Sequence, residues 1–282
     1  ETQHGLVESG FVEQVSTPGD KITVTNLNFG FNDNTVLEET VAENSTTPSR
    51  EGYPVGAIFA YKTAGLDDEG YPLYLTKDGQ KLSAKDFFQL NNAGASTLSA
   101  EEQRNLLTYM GSTDPKVSGG FTNTFKYQRV TLSVNCIFNF GMHVQTTPSY
   151  SLTTYDRGLN TNRDILNRWT PDNPEGTSPR LINSSDRPEE YSFYDNYPIL
   201  NSLDIYVKKQ NYFRFQSIRL AYDLPTRWLK PIGVKSASVS LEGRDLWVIA
   251  SNYHNYLDPE TMGNPYASPI PKSFIFGLNV NF

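Results

Sequence analysis

Apolar and polar residues alternate with a period of two along several stretches of this chain. That is the pattern of strands showing one face to a greasy environment and the other to water. In the last ten residues Phe274, Phe276, Leu278, Val280 and Phe282 share one face, and Ser273, Gly277, Asn279 and Asn281 share the other, with Ile275 the apolar exception. Thr131 to Gly141 is cleaner still: Leu132, Val134, Cys136, Phe138 and Phe140 alternate with Thr131, Ser133, Asn135 and Asn139. Just before it, Gly119 to Arg129 sets Phe121, Phe125 and Tyr127 against Thr122, Thr124, Lys126 and Gln128. Tyr212 to Leu224 places Ile218, Leu220, Tyr222 and Leu224 opposite Arg219 and Asp223. Lys235 to Ile249 places Ala237, Val239 and Leu241 opposite Ser236, Ser238, Ser240 and Glu242. Lys21 to Phe31 and Val55 to Thr63 are further β-rich runs. One segment reads as a helix: Ser99 as N-cap, Glu101 and Glu102 in the first turn, Leu106, Leu107 and Met110 behind, and Gly111 ending it.

Connections of two sizes separate the strands. The turn near Tyr127 to Val130 is minimal and Pro225 to Val234 is short, whereas Ala64 to Ser118, Met142 to Asn211 and Ser251 to Pro271 are long. Loops of that length are out of place in an ordinary compact domain. Long and short alternate, as they do in outer-membrane barrels with tight periplasmic turns and extended extracellular loops. A strand of about ten residues tilted about 45° crosses the apolar layer of such a membrane. The closing strand, ending on Phe282, is expected to seal a cylinder whose greasy face meets lipid, with the three long connections outside. The expected fold class is all-β: a portion of an antiparallel transmembrane β-barrel, roughly seven strands, with the helix as loop decoration. The rival is a secreted, soluble β-sandwich that binds glycans, and a third possibility is a β-rich glycoside hydrolase with paired carboxylates.

Composition narrows the choice. Only 37% of the residues are hydrophobic, yet 13% are aromatic, with 17 Tyr and 16 Phe, which suits a structure that exposes polar surface inside and out with Tyr and Phe at its boundaries. No stretch approaches the roughly 18 apolar residues of a membrane helix, so any span is made by strands. A net charge of −7 argues against a nucleic-acid partner. The single Cys136 excludes an internal disulfide framework. His4, His143 and His254 are isolated and read as surface residues, with no Cys/His set for zinc. No nucleophile elbow or phosphate loop appears, so neither catalytic residues nor a cofactor nor a metal is expected. Asp67-Asp68-Glu69 and Asp258-Pro259-Glu260 lack the spacing of a cation loop and read as solvated acidic segments. The segment Met142–Asn211 is rich in aromatic, amide and guanidinium side chains, which can stack on sugars or grip peptides. Tyr155, Arg157, Arg163, Trp169 and Tyr194 are its candidate ligand-binding residues.

Four segments carry a family resemblance. Glu51-Gly52-Tyr53-Pro54-Val55-Gly56-Ala57 with Tyr61 and Ala64-Gly65 is the first. Gly111-Ser112-Thr113-Asp114-Pro115 followed by Gly119-Gly120-Phe121-Thr122-Asn123-Thr124-Phe125 and Tyr127 is the second. Asn167-Arg168-Trp169-Thr170 leading to Pro179-Arg180 is the third. The fourth joins Tyr212-Phe213-Arg214 through Leu220, Tyr222, Leu224 and Pro225 to Arg244-Asp245-Leu246 and Asp258-Pro259-Glu260. In this order and spacing, from about Gly52 to Phe282, they resemble the C-terminal part of SusC/RagA-type TonB-dependent outer-membrane transporters of Bacteroidetes. Arg244-Asp245-Leu246 departs from the Gln-Asn-Leu more usual there, and residues 1–50 carry no likeness. The resemblance implies that residues 1–282 are one part of a receptor barrel domain of about 22 strands, whose plug and first strands are not in this chain. It further implies an outer-membrane location and a nutrient importer for oligosaccharides or peptides. Its partners would be a SusD-like surface lipoprotein, TonB through a segment not in this chain, the N-terminal part of the same receptor, the cargo and membrane lipid.

Overall fold

The computed structural model describes residues 2–4, 9–16, 21–39, 50–146, 163–181, 202–250, 258–264 and 267–282. Seven strands form one antiparallel sheet: β1 Ser9–Ser16, β2 Lys21–Phe31, β3 Val117–Tyr127, β4 Val130–Phe140, β5 Tyr212–Asp223, β6 Ser236–Ala250 and β7 Ser273–Asn281. They neighbour one another in chain order, an up-and-down wall. Six of the seven match the runs expected from alternation. The exceptions are instructive. Val55 to Thr63 supplies only Ala57–Ala60, which pairs with Thr108–Ser112 outside the wall. β1 comes instead from a segment whose pattern does not mark it as a strand.

One face of the wall is continuous in apolar side chains. Phe125, Leu132, Leu220, Leu241 and Phe276 stand opposite one another in a row that crosses five strands. A few residues along the strands, Val134, Ile218 and Gly243 meet Phe274 in the same way. These side chains are open, Leu241 at 51% and Phe276 at 77%, which in water would cost about 25 cal/mol for each Å² of apolar surface. The opposite face runs Thr124, Ser133, Arg219, Glu242 and Ile275 along the same register. Such a wall is stable only where lipid covers one side.

Aromatic rings gather at both ends of the apolar face. At the end carrying the long connections, Phe138 lies 5.5 Å from Phe140 and 6.5 Å from Phe213, Phe213 lies 5.4 Å from Phe215, and Phe215 lies 6.0 Å from Trp247. Gly119 makes room for this band, because a Cβ there would stand 2.6 Å from the Phe138 ring. At the other end are Tyr127 and Tyr222, with the exposed Trp228 on the turn between β5 and β6. Two girdles flanking an aliphatic belt are the arrangement by which barrels sit in a membrane.

A bulge preserves this sidedness. In β5 the rings Phe213 and Phe215 are out of phase with Ile218, Leu220 and Tyr222. The register shifts between Phe215 and Ser217, so that Gln216 is the extra residue and both sets reach the same face. The Gln216 amide oxygen accepts from Asn135 at 3.0 Å. On β6 the same irregularity holds Asp245 at φ +53°, in the left-handed region.

The short connections cluster at the girdle of Tyr127 and Trp228. Gln128, at φ +52°, and Arg129 make the β3–β4 turn. Helix α3, Thr226–Leu229, helps to make the β5–β6 turn, where Leu229 and Val234 pack on Ala237. (Helices α1, Ala84–Phe87, and α2, Ala100–Leu106, precede it in the chain.) The long connections all leave from the other end, as the alternation of lengths required.

The described residues of the first of these, 32–39 and 50–116, fold on themselves into a rim subdomain with its own core. Tyr74 stacks on Phe87 at 4.9 Å, and Phe88 meets Tyr61, Tyr74 and Phe87 edge-on at 5.0 Å in each case. A three-stranded sheet of Thr63–Leu66, Pro72–Leu75 and Lys81–Leu82 frames these rings, together with α1. The subdomain is closed by residues 202–206 from the next long connection. Leu203 is fully buried in the aromatic cluster, the Tyr61 amide donates to the Ser202 carbonyl at 2.8 Å, and the Thr63 hydroxyl donates to Asp204 at 2.6 Å. The expected helix is α2, with Ser99 and Glu102 completing a capping box. It stops short of Met110 and Gly111, which belong to the strand Thr108–Ser112. Leu107 is already extended, and pairing with Ala57–Ala60 wins over another helical turn.

Candidate functional site

The surface suited to handling a polar solute is the hydrophilic face of the wall and the rim above it. The face is a lattice of small polar side chains bonded across strands. Thr122 donates to Asn135 at 3.1 Å, the Thr124 and Ser133 hydroxyls are 3.2 Å apart, Asn139 donates to the Tyr212 hydroxyl at 2.6 Å, and Asn281 donates to Ser236 at 2.8 Å. Its charges are largely matched: Arg244 donates to Glu242 at 2.6 Å, and Lys126 stands 3.6 Å from Asp223. The Arg219 side chain is exposed, with a 3.4 Å contact to Ser240. A hydroxyl- and amide-lined wall of this kind offers many weak, exchangeable hydrogen bonds and no strong trap.

Where the wall meets the rim, Arg214 organises a buried charge cluster that sequence reading did not find. It is 2% exposed and points to the polar side of β5. Its guanidinium lies 2.5 Å from Asp258, 3.8 Å from Asp245 on the β6 bulge, and in an ion pair with Glu260. Asp258 in turn accepts from the Glu260 amide at 3.0 Å, and the Gln210 side chain donates to the Pro259 carbonyl. The Asp-Pro-Glu segment read as a solvated acidic loop is therefore folded down onto the wall, because a buried guanidinium requires carboxylate partners. The signal available in sequence was an Arg inside an apolar-alternating strand, which needs an anion from elsewhere in the chain.

Of the candidate ligand residues, Tyr155, Arg157 and Tyr194 lie outside the described residues. Arg163 opens the 3-10 turn Arg163–Asn167. Trp169 packs its ring over Gly70, where a Cβ would stand 2.5 Å from it. The Arg180 guanidinium lies 5.4 Å from the Trp169 ring and 5.3 Å from Tyr71, while its amide donates to the Gly70 carbonyl at 3.0 Å. Trp169 and Arg180 thus clip one long connection to the other.

Burial and local hydrogen bonds set the ionisation of the rim. The Tyr61 phenol, enclosed by rings, is pushed up to about 12, and the exposed Glu102 carboxylate is held below its usual range by the Ser99 backbone and hydroxyl donors. His143 is pushed down by burial and by Lys209 and Lys116.

A one-sided wall with ring girdles and a polar interior defines a segment of an outer-membrane β-barrel. Comparison with known proteins agrees. No protein-family model matches the chain. In sequence it is similar to TonB-dependent receptor P26 of Formosa agariphila, 28% identical in a 191-residue alignment that covers 61% of this chain and 18% of that one. TonB-dependent receptor P3 of the same organism is 22% identical in a 255-residue alignment that covers 85% of this chain and 23% of the relative. Among solved structures, the RagAB peptide transporter superimposes with a TM-score of 0.64 at 22% identity, covering 97% of this chain and 28% of that chain. The RagAB peptide importer in its closed-closed state gives 0.65 at 20% identity with the same coverage. The resemblance is thus borne out, in sequence by TonB-dependent receptors and in fold by the RagAB transporter. The chain spans less than a quarter of the length of either curated relative.

Proposed function

We propose that residues 1–282 form part of the barrel domain of a TonB-dependent importer. In this reading the complete receptor takes up an oligosaccharide or a peptide across the outer membrane without covalent chemistry. The observation that carries it is the two-faced wall: lipid on the Leu220–Leu241–Phe276 side, a hydrogen-bonding passage on the Ser133–Arg219–Glu242 side. A SusD-like lipoprotein would seat on the rim subdomain, TonB would engage another part of the receptor, and Arg163 and Trp169 stand among the loops that would meet cargo.

The test begins with the intact receptor in outer membranes. A heat-modifiable band, co-purification with a surface lipoprotein, and energy-dependent accumulation of a labelled peptide or oligosaccharide pool are the expected results. Which pool accumulates assigns the cargo. A receptor segment recovered as a detergent-independent monomer would overturn the reading in favour of a secreted glycan-binding module.

A further inference from the structure

His143 stands at the joint between wall and rim. It opens the strand His143–Gln145, which pairs antiparallel with Val207–Lys209 just beyond the end of β4. Its ring lies flat against Gly111 on the neighbouring strand Thr108–Ser112: a Cβ on Gly111 would stand 2.3 Å from Nδ1. That nitrogen is buried and makes no hydrogen bond. The charges acting on the ring are the ammonium groups of Lys116 and Lys209.

Other titratable groups stand on the surrounding elements, among them Asp258 and Glu260, which pair with Arg214 on the segment whose Gly263 meets Val144. Tyr109, on the Gly111 strand, turns its ring to Tyr53 at 5.2 Å and Phe59 at 5.8 Å. Lys208 stands opposite Val144 and adds positive charge to the same ribbon. Asp114 accepts from Asn34, and Asp204 accepts from Thr63. Ala57–Ala60 carries no titratable side chain.

We propose that His143 is an acid-sensitive fastener: while its imidazole is neutral the rim subdomain stays seated on the wall, and protonation releases it. The reason is geometric. A neutral imidazole can leave Nδ1 as an unused acceptor against the Gly111 backbone. The cation must donate from both nitrogens, and the Nδ1 proton would be buried where no acceptor meets it, within the field of Lys116 and Lys209.

The sign follows from linkage. A histidine held below its ordinary value of about 6.5 favours the seated state at higher pH. The joint is therefore complete above that value and is lost as pH falls below it, towards the depressed value of the folded state.

The experiment is hydrogen exchange on the intact receptor in detergent, at pH 8 and pH 5, corrected for the intrinsic pH dependence of exchange. In the wild type the amides of Thr108–Ser112 and Val207–Lys209 are expected to lose at least about tenfold protection at pH 5, while wall amides in β4 stay protected. His143→Asn should remain protected at both pH values. Lys116→Met and Lys209→Met should move the wild-type midpoint upward, since each removes a neighbour that opposes protonation. Protection independent of pH in the wild type, or lost equally in His143→Asn, overturns the proposal. Should His143→Asn fail to assemble, the two lysine variants decide alone, and an unmoved midpoint in both overturns it.

Discussion

The wall and the rim subdomain belong to one chain but solve the folding problem in opposite ways. In the rim, Tyr74, Phe88 and Leu203 are fully enclosed by other side chains of the protein, and hydrophobic burial is internal. On the wall, Leu220, Leu241, Phe274 and Phe276 are left open, and the strands hold together chiefly through ladder hydrogen bonds. Their apolar surface is left for lipid to cover. The rim therefore behaves as a small water-soluble core, whereas the wall is stable only in a bilayer or micelle. The teaching is that exposure means different things in the two regions: an open Leu on the wall is satisfied, and an open Leu in the rim core would be a defect.

Substitutions can break this contrast or sharpen it. Phe88→Ala should cost the rim about 3–5 kcal/mol by opening a cavity among Tyr61, Tyr74 and Phe87. Limited proteolysis of the rim beside an unchanged heat-modifiable band would show that the two regions are separable. Simultaneous loss of both would show that they are one cooperative unit.

Leu241→Arg comes next, at about 2–4 kcal/mol near the middle of the apolar face. Ser238→Arg on the other face of the same strand, opposite Asp223, should change stability by less than about 1 kcal/mol. Urea unfolding in liposomes measures both, and equal effects would refute the assignment of faces.

Alkali offers a probe of the rim alone. Because the Tyr61 phenol is raised to about 12, the neutral form belongs to the folded rim. Stability is complete below the ordinary tyrosine value of about 10 and declines as pH rises through the folded value, by at most about 2–3 kcal/mol. Phenolate absorbance that appears together with rim unfolding is the expected signal, and Tyr61→Phe should remove that component.

The smallest effect is at the surface. Ser99→Ala removes the cap of α2 and should cost about 1 kcal/mol, read as faster exchange confined to residues 100–106. Equal change in β3 or β4 would mean that the cap acts on the wall.

Much of the wall was legible because its signal is local. Period-two alternation identifies a strand from its own side chains, so Leu132–Phe140 and Phe274–Phe282 announced both the strands and the greasy face. The alternation of short and long connections added the topology. β1 was missed because its eight residues, Ser9–Ser16, do not alternate cleanly. Val55 to Thr63 carries no mark of its place, because a short apolar run looks the same in a buried rim strand as in a wall strand. The long connections were legible only as long, since nothing local marks an aromatic core built from Tyr61, Phe88 and Leu203.

The sequence by itself determined the two-faced strands, their lengths and the end at which the long connections lie. It also carried motifs enough to suggest the kind of receptor. Only the tertiary structure decided that Leu203 completes a core begun at Tyr61, that Asp258 and Glu260 descend onto Arg214, and that Gln216 is the residue left over so that two sets of side chains share a face. The physical reason is separation. A strand's face is fixed by the pleat within a few residues, whereas those contacts join positions dozens to more than a hundred residues apart and exist only once the chain has folded back on itself.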